Sequence, residues 1–106
     1  MSEMSTLQRT VASFVEEAEI EAPVYARLVD LVSEVGELSK EVLKATNYGH
    51  ALFNPPQSWA GEMGDVLFAL VCLAKSTAVD LEAALNGALD KYRERMALGD
   101  DAGSGS

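Results

Sequence analysis

Apolar residues recur along this chain at helical spacing from near its start to Met96, and no segment alternates with period two as a half-buried strand requires. Leu7, Val11, Phe14, Val15 and Ala18 form one stripe and predict a helix over roughly 6–19. A second helix begins near Pro23, a residue tolerated in a first turn. It continues through Leu28, Leu31, Val32, Val35, Leu38 and Val42, then stops around Asn47-Tyr48-Gly49. Gly49, Asn54, Pro55 and Pro56 mark 48–58 as a loop. A third helix is expected from about Pro56 or Gln57 to about Thr77. Asp80 suits the N-cap of a fourth, which carries Leu81, Ala84, Leu85, Ala88, Leu89, Tyr92 and Met96. The pattern therefore predicts an all-α fold, one domain over 1–98, and a flexible Gly/Ser-rich tail over 99–106.

The third helix stands apart. From Val66 to Ala74 it is apolar on every side, and such a helix must be covered all round. Three partner helices from one short chain cover it only in part, so we expect a bundle completed by self-association.

Composition narrows the function. A formal net charge of −9 disfavours a nucleic-acid polymer as partner, because displacing counterions from phosphates takes a basic surface. A small anionic ligand is still allowed, since bound cations can invert the sign of a carboxylate-lined site. Cys72 is the only cysteine, which rules out an intrachain disulfide and fits a small core residue in a reducing cytoplasm. The start, Met1-Ser2-Glu3-Met4, lacks a basic region followed by an apolar stretch, so no signal peptide is expected. The run Val66–Ala74 is also too short to span a bilayer, which takes about 20 residues. We expect no membrane association.

The candidate chemistry lies in two acidic pairs, Glu34-Val35-Gly36-Glu37 and Glu62-Met63-Gly64-Asp65. Residues three apart share one side of a helix, so two such helices could bring four carboxylates to one point. The alternative is a solvated acidic face. Asp30, Glu34, Glu37 and Glu41 do form one stripe, spanning about 60° of the circumference. On the third helix, however, Glu62 and Asp65 share their face with Ala69, Cys72 and Leu73. A carboxylate in such surroundings is protonated, paired or ligating. With few basic residues at hand, ligation is favoured. The donors are all oxygens and the single histidine, His50, sits in the loop, so Mg²⁺ suits best, with Mn²⁺ as a substitute. Without Glu-x-x-His, a di-iron bundle is not indicated. Mg²⁺ in turn favours phosphate-bearing substrates.

Ser-Glu-Val-Gly-Glu-Leu-Ser-Lys-Glu around Glu34 and Gly-Glu-Met-Gly-Asp-Val-Leu-Phe around Glu62 closely resemble the paired motif of the MazG-like nucleotide pyrophosphohydrolases. These all-α enzymes are related to dimeric dUTPases and dCTP pyrophosphatases. The resemblance covers about 20–96. It implies Mg²⁺-dependent hydrolysis of a (deoxy)nucleoside triphosphate to monophosphate and pyrophosphate, in nucleotide-pool housekeeping, by a homodimer or homotetramer. It also implies an Asn and a Lys near the end of the last helix; Lys91 supplies the second, while Leu89 stands where the Asn is expected.

On this reading Glu34, Glu37, Glu62 and Asp65 hold the metal, and Glu34 or Glu37 takes a proton from water. Lys91 and Arg95 meet phosphate oxygens from the fourth helix, or simply complement its dipole as solvated residues. Lys44 meets phosphate or pairs with Glu41. Asn47 and Trp59 flank a loop able to contact the base, although Trp59 equally suits a core or interface anchor. Two rivals stand beside this reading: a non-enzymatic acidic helical interaction module, and a pyrophosphohydrolase acting on another phosphate substrate such as a phosphoribosyl-nucleotide.

Overall fold

A computed structural model describes residues 2–99 and shows four helices in chain order: α1 (Glu3–Ala18), α2 (Val24–Ala45), α3 (Trp59–Ser76) and α4 (Leu81–Ala97). No strand occurs among the described residues, so the chain is all-α. Most of the expected tail, 100–106, lies outside the described residues. No helix among those described is long and apolar enough to cross a membrane.

Local chemistry sets the helix ends. α1 begins a turn earlier than its apolar stripe, because the Ser2 hydroxyl accepts the Ser5 N–H at 3.0 Å and caps the new turn. It ends at Glu19, whose φ of 56° breaks the helix. α3 begins at Trp59, slightly later than the proline signal suggested, since the Trp59 N–H closes a turn onto the Pro56 carbonyl at 3.0 Å. Asp80 caps α4 as expected, accepting from the Glu82 and Ala83 N–H groups at 3.0 and 3.2 Å. α2 ends in a tight stop. The Thr46 hydroxyl donates to the Val42 carbonyl at 2.7 Å and accepts the Gly49 N–H at 3.1 Å. Asn47 and Tyr48 between them take positive φ.

α2 and α3 run antiparallel and make the most extensive helix contact. Along their seam Ser58 meets Glu41, Glu34 meets Glu62 and Asp65, and Arg27 meets the Cys72 end of α3. The α2 residues that turn towards it, Arg27, Leu31, Glu34, Leu38 and Glu41, follow the three-four spacing of a packed helix face. Opposite them Ala69 and Cys72 are fully buried small residues that permit close approach.

α1 lies on another side of α3, with Phe14 and Phe68 edge-to-face at 6.0 Å. Gln8 pins α1 to the α3–α4 turn, donating to the Val79 carbonyl and accepting the Leu81 N–H, both at 2.9 Å. α4 packs on α1 and buries no residue completely.

The apolar stripe expected on α2 divides in two. Leu31, Leu38 and Val42 turn towards α3, whereas Leu28, Val32 and Val35 face outward with Tyr25 and Val29, the last two 74% and 65% exposed. Met63, Leu67 and Leu70 are exposed on α3 as well. The all-round apolar helix is therefore left partly uncovered by its own chain.

Candidate metal centre

The α2–α3 seam carries its carboxylates because the helix period puts them there. Glu34 sits between Leu31 and Leu38 on the face that meets α3, and Glu62 and Asp65 occupy the first two turns of α3 opposite it. One carboxylate oxygen from each of the three lies within 4.8 Å of the others. Glu34 and Glu62 are half-buried, and Asp65 is exposed. None of the three makes a hydrogen bond or an ion pair among the described residues.

Three anionic groups this close repel one another. Lost hydration raises the pKa of Glu34, and the charges of Asp65, Asp30, Glu62 and Glu37 raise it further. A divalent cation would relieve that repulsion, and a set of hard oxygen donors, one of them exposed, fits such an ion. The residues present therefore meet the chemistry of a divalent-metal centre. Ser58 adds a tie between the helices just beyond it, its hydroxyl donating to Glu41 Oε1 at 3.1 Å.

The remaining candidate residues fall in three places. Glu37 lies outside the cluster, exposed, with Lys40 Nζ at 3.9 Å from its carboxylate. A step of three residues turns it about 60° away from Glu34. Lys44 is exposed in the last turn of α2, and Asn47 follows in the left-handed turn, its N–H on the Lys44 carbonyl at 3.2 Å. Trp59 opens α3, half-buried and edge-to-face with Phe53 at 5.0 Å. Lys91 and Arg95 lie on α4, which packs against α1 rather than closing on α2. Lys91 rests its ammonium over the neighbouring Tyr92 ring at 5.3 Å. One protomer thus gathers Glu34, Glu62 and Asp65, and sets the basic residues of α4 on a different helix pair.

Sequence reasoning passed over Arg27. It shares the face of Leu31, Glu34 and Leu38, a charged residue on a buried stripe, and that spacing was its signal.

Comparison with known proteins bears on this arrangement. A family model described as the MazG nucleotide pyrophosphohydrolase domain matches residues 26–97, which contain α3, α4 and nearly all of α2. The protein YpjD of Bacillus subtilis (strain 168) is 38% identical over 73 residues, 66% of this chain; the match spans 64% of that relative, just under two thirds of its length. A crystal structure of a Bacillus-conserved MazG protein, a nucleotide pyrophosphohydrolase, superposes with a TM-score of 0.71 at 32% identity, covering 87% of this chain and 90% of that one. The crystal structure of YpjD from Bacillus subtilis gives a TM-score of 0.73 at 32% identity, covering 90% and 97%.

Proposed function

The chain belongs to the MazG nucleotide pyrophosphohydrolase family, and from that premise we propose that it hydrolyses a (deoxy)nucleoside triphosphate to the monophosphate and pyrophosphate. The observation that carries this reading is the convergence of Glu34, Glu62 and Asp65 within 4.8 Å. These three side chains would hold Mg²⁺, or Mn²⁺ in its place, with Glu37 the next carboxylate along α2. Bound there, the metal would supply neutralisation of phosphate oxygens and a more acidic water.

The protein's own groups do the rest. A water oxygen attacks the α-phosphorus, the bond to the bridging oxygen breaks, and pyrophosphate leaves with that oxygen. The proton released by the water goes to a carboxylate. Glu34, whose affinity for a proton is raised by lost hydration and by its neighbours, or Glu37 would take it. Lys91, with Arg95 and Lys44, neutralises phosphate oxygens, while Asn47 and Trp59 border the base. Phe53 supports Trp59 from the side, which keeps its ring in a defined orientation.

Lys91 comes from a helix that does not close on α2 within one protomer, so self-association as a homodimer or homotetramer is part of the proposal. The exposed apolar face of α2 and the uncovered residues of α3 support it. A cytoplasmic setting agrees with a buried free thiol at Cys72.

The experiment is a panel of nucleoside triphosphates with Mg²⁺, scoring pyrophosphate against orthophosphate. Pyrophosphate and monophosphate in equal amounts are expected. Release of orthophosphate alone would remove the α-phosphorus chemistry.

A further inference from the structure

Arg27 lies on the same α2 face as Glu34, seven residues earlier and so about 10 Å along the helix. It is only 9% exposed. Its guanidinium donates to the Ile20 carbonyl, which leaves most of its N–H groups for other acceptors. Among the described residues no carboxylate reaches ion-pair distance of it. Its unbonded guanidinium nitrogens are not sealed away, since no side-chain nitrogen among the described residues is buried without a partner, so they are free to meet an anion from solvent.

The side chain borders a recess of about 70 Å³ shared with Lys75, Ser76, Cys72 and Glu21. Lys75 also has no carboxylate at ion-pair distance among the described residues. Both cations act on Cys72: burial raises the thiol's pKa and Asp30 adds to this, while Arg27 and Lys75 oppose it. A single water needs only about 10–15 Å³ of such space. The recess therefore has room for several waters, or for one tetrahedral oxyanion in their place. Arg9, Lys44 and Lys91 also lack ion pairs, but they are exposed; Arg27 and Lys75 are less exposed and line the same recess.

We propose that this recess binds a small phosphate-class oxyanion, held between the Arg27 guanidinium and the Lys75 ammonium, separately from the carboxylate cluster. The forked donors of Arg27 suit two oxygens of such an ion, and Lys75 adds a point charge. Glu21 is the one anionic side chain lining the recess, and it competes with the ligand. Because Arg27 also holds the Ile20 carbonyl, an occupant would draw the α1–α2 turn, the start of α2 and the end of α3 together. The recess is too small for a nucleoside, so free orthophosphate is the expected occupant.

The test uses the full chain without divalent metal, at ionic strength fixed with chloride. Orthophosphate should raise the melting temperature saturably and shift the Arg27 Nε–H resonance with the same midpoint. Lys75→Met should abolish most of both responses while leaving the fold intact, a safer variant than one at Arg27, which also secures a turn. Glu21→Gln should tighten binding about two- to fivefold, the scale of one exposed charge pair. Three outcomes overturn the proposal: no saturable effect beyond chloride, an unchanged response in Lys75→Met, or a shift of the Arg27 resonance by pyrophosphate or a nucleoside monophosphate but not by orthophosphate. The last would make the recess part of the substrate's own site.

Discussion

The α2–α3 pair and the α1–α4 pair are built for different tasks. Along the first, fully buried small residues bring two helices close enough to crowd three carboxylates together. The second is joined by Gln8 and a looser contact, and α4 buries no residue completely although it carries Lys91 and Arg95. Close packing fixes where the α2–α3 acids stand. The α1–α4 side leaves large apolar residues such as Leu85 and Met96 exposed.

The largest effect expected from that contrast is on turnover. Glu62→Gln should lower kcat/KM for the preferred nucleotide by about a hundred- to a thousandfold, the scale of losing one group that stabilises transition-state charge. The melting temperature of the metal-free protein should not fall and should rise slightly, because the Glu62 side chain makes no hydrogen bond or ion pair among the described residues and gives up only repulsion of Glu34. Pyrophosphate release beside a thermal scan checks both halves. Full activity in this variant would remove the acid cluster from the mechanism.

A pair of core and surface changes sharpens the comparison next. Ala69→Leu overfills the α2–α3 seam, where Ala69 is 1% exposed, and should destabilise by about 1–3 kcal/mol. Gly87→Ala on α4 should stabilise by about 0.5–1 kcal/mol, since an added Cβ meets nothing within 4 Å and a helix interior favours Ala. Urea denaturation reads the two signs directly. If both substitutions destabilise equally, the helix pairs do not differ in the way described.

The smallest effect is electrostatic. The pKa of Glu34 is raised in the folded protein, so its stabilising contribution is fully present below the unfolded-state pKa and is lost as pH rises through the folded one. In metal-free protein at about pH 7, Glu34→Gln should therefore raise the melting temperature slightly, and near pH 3 it should do nothing. With Mg²⁺ added the sign at neutral pH should reverse, because the variant loses a ligand. Melting curves at the two pH values, with and without the ion, decide it.

Much of the placement of the three clustered carboxylates was legible from spacing. Glu34, Glu62 and Asp65 lie three or four residues from apolar positions that face the partner helix, and periodicity alone places them on the seam. Glu37 shows the limit of an i,i+3 rule. The seam on α2 advances through 31, 34, 38 and 41, and a step to 37 leaves it. Helix ends followed side-chain caps more than apolar stripes, so Asp80 was readable and the earlier start at Ser2 was not. Which helix α4 would meet depends on contacts far apart in the chain, above all Gln8 with 79 and 81, and no local pattern encodes them. Arg27 was missed because a lone cation on an apolar stripe resembles a solvated residue until the opposing helix is in place.

The stop at the end of α2 has its own consequence. Thr46 closes the helix through bonds confined to 42–51, its carbonyl accepting the Ala51 N–H at 2.8 Å, and the chain beyond emerges with Leu52 almost wholly exposed. Ser58 fastens the far end of the crossing to Glu41. Between these two anchors residues 50–52 are exposed, ahead of the Phe53 and Pro56 contacts that lead into α3, so insertions there carry only a slowly growing entropic penalty. The length of this crossing is therefore free to vary over an unaltered helical chassis.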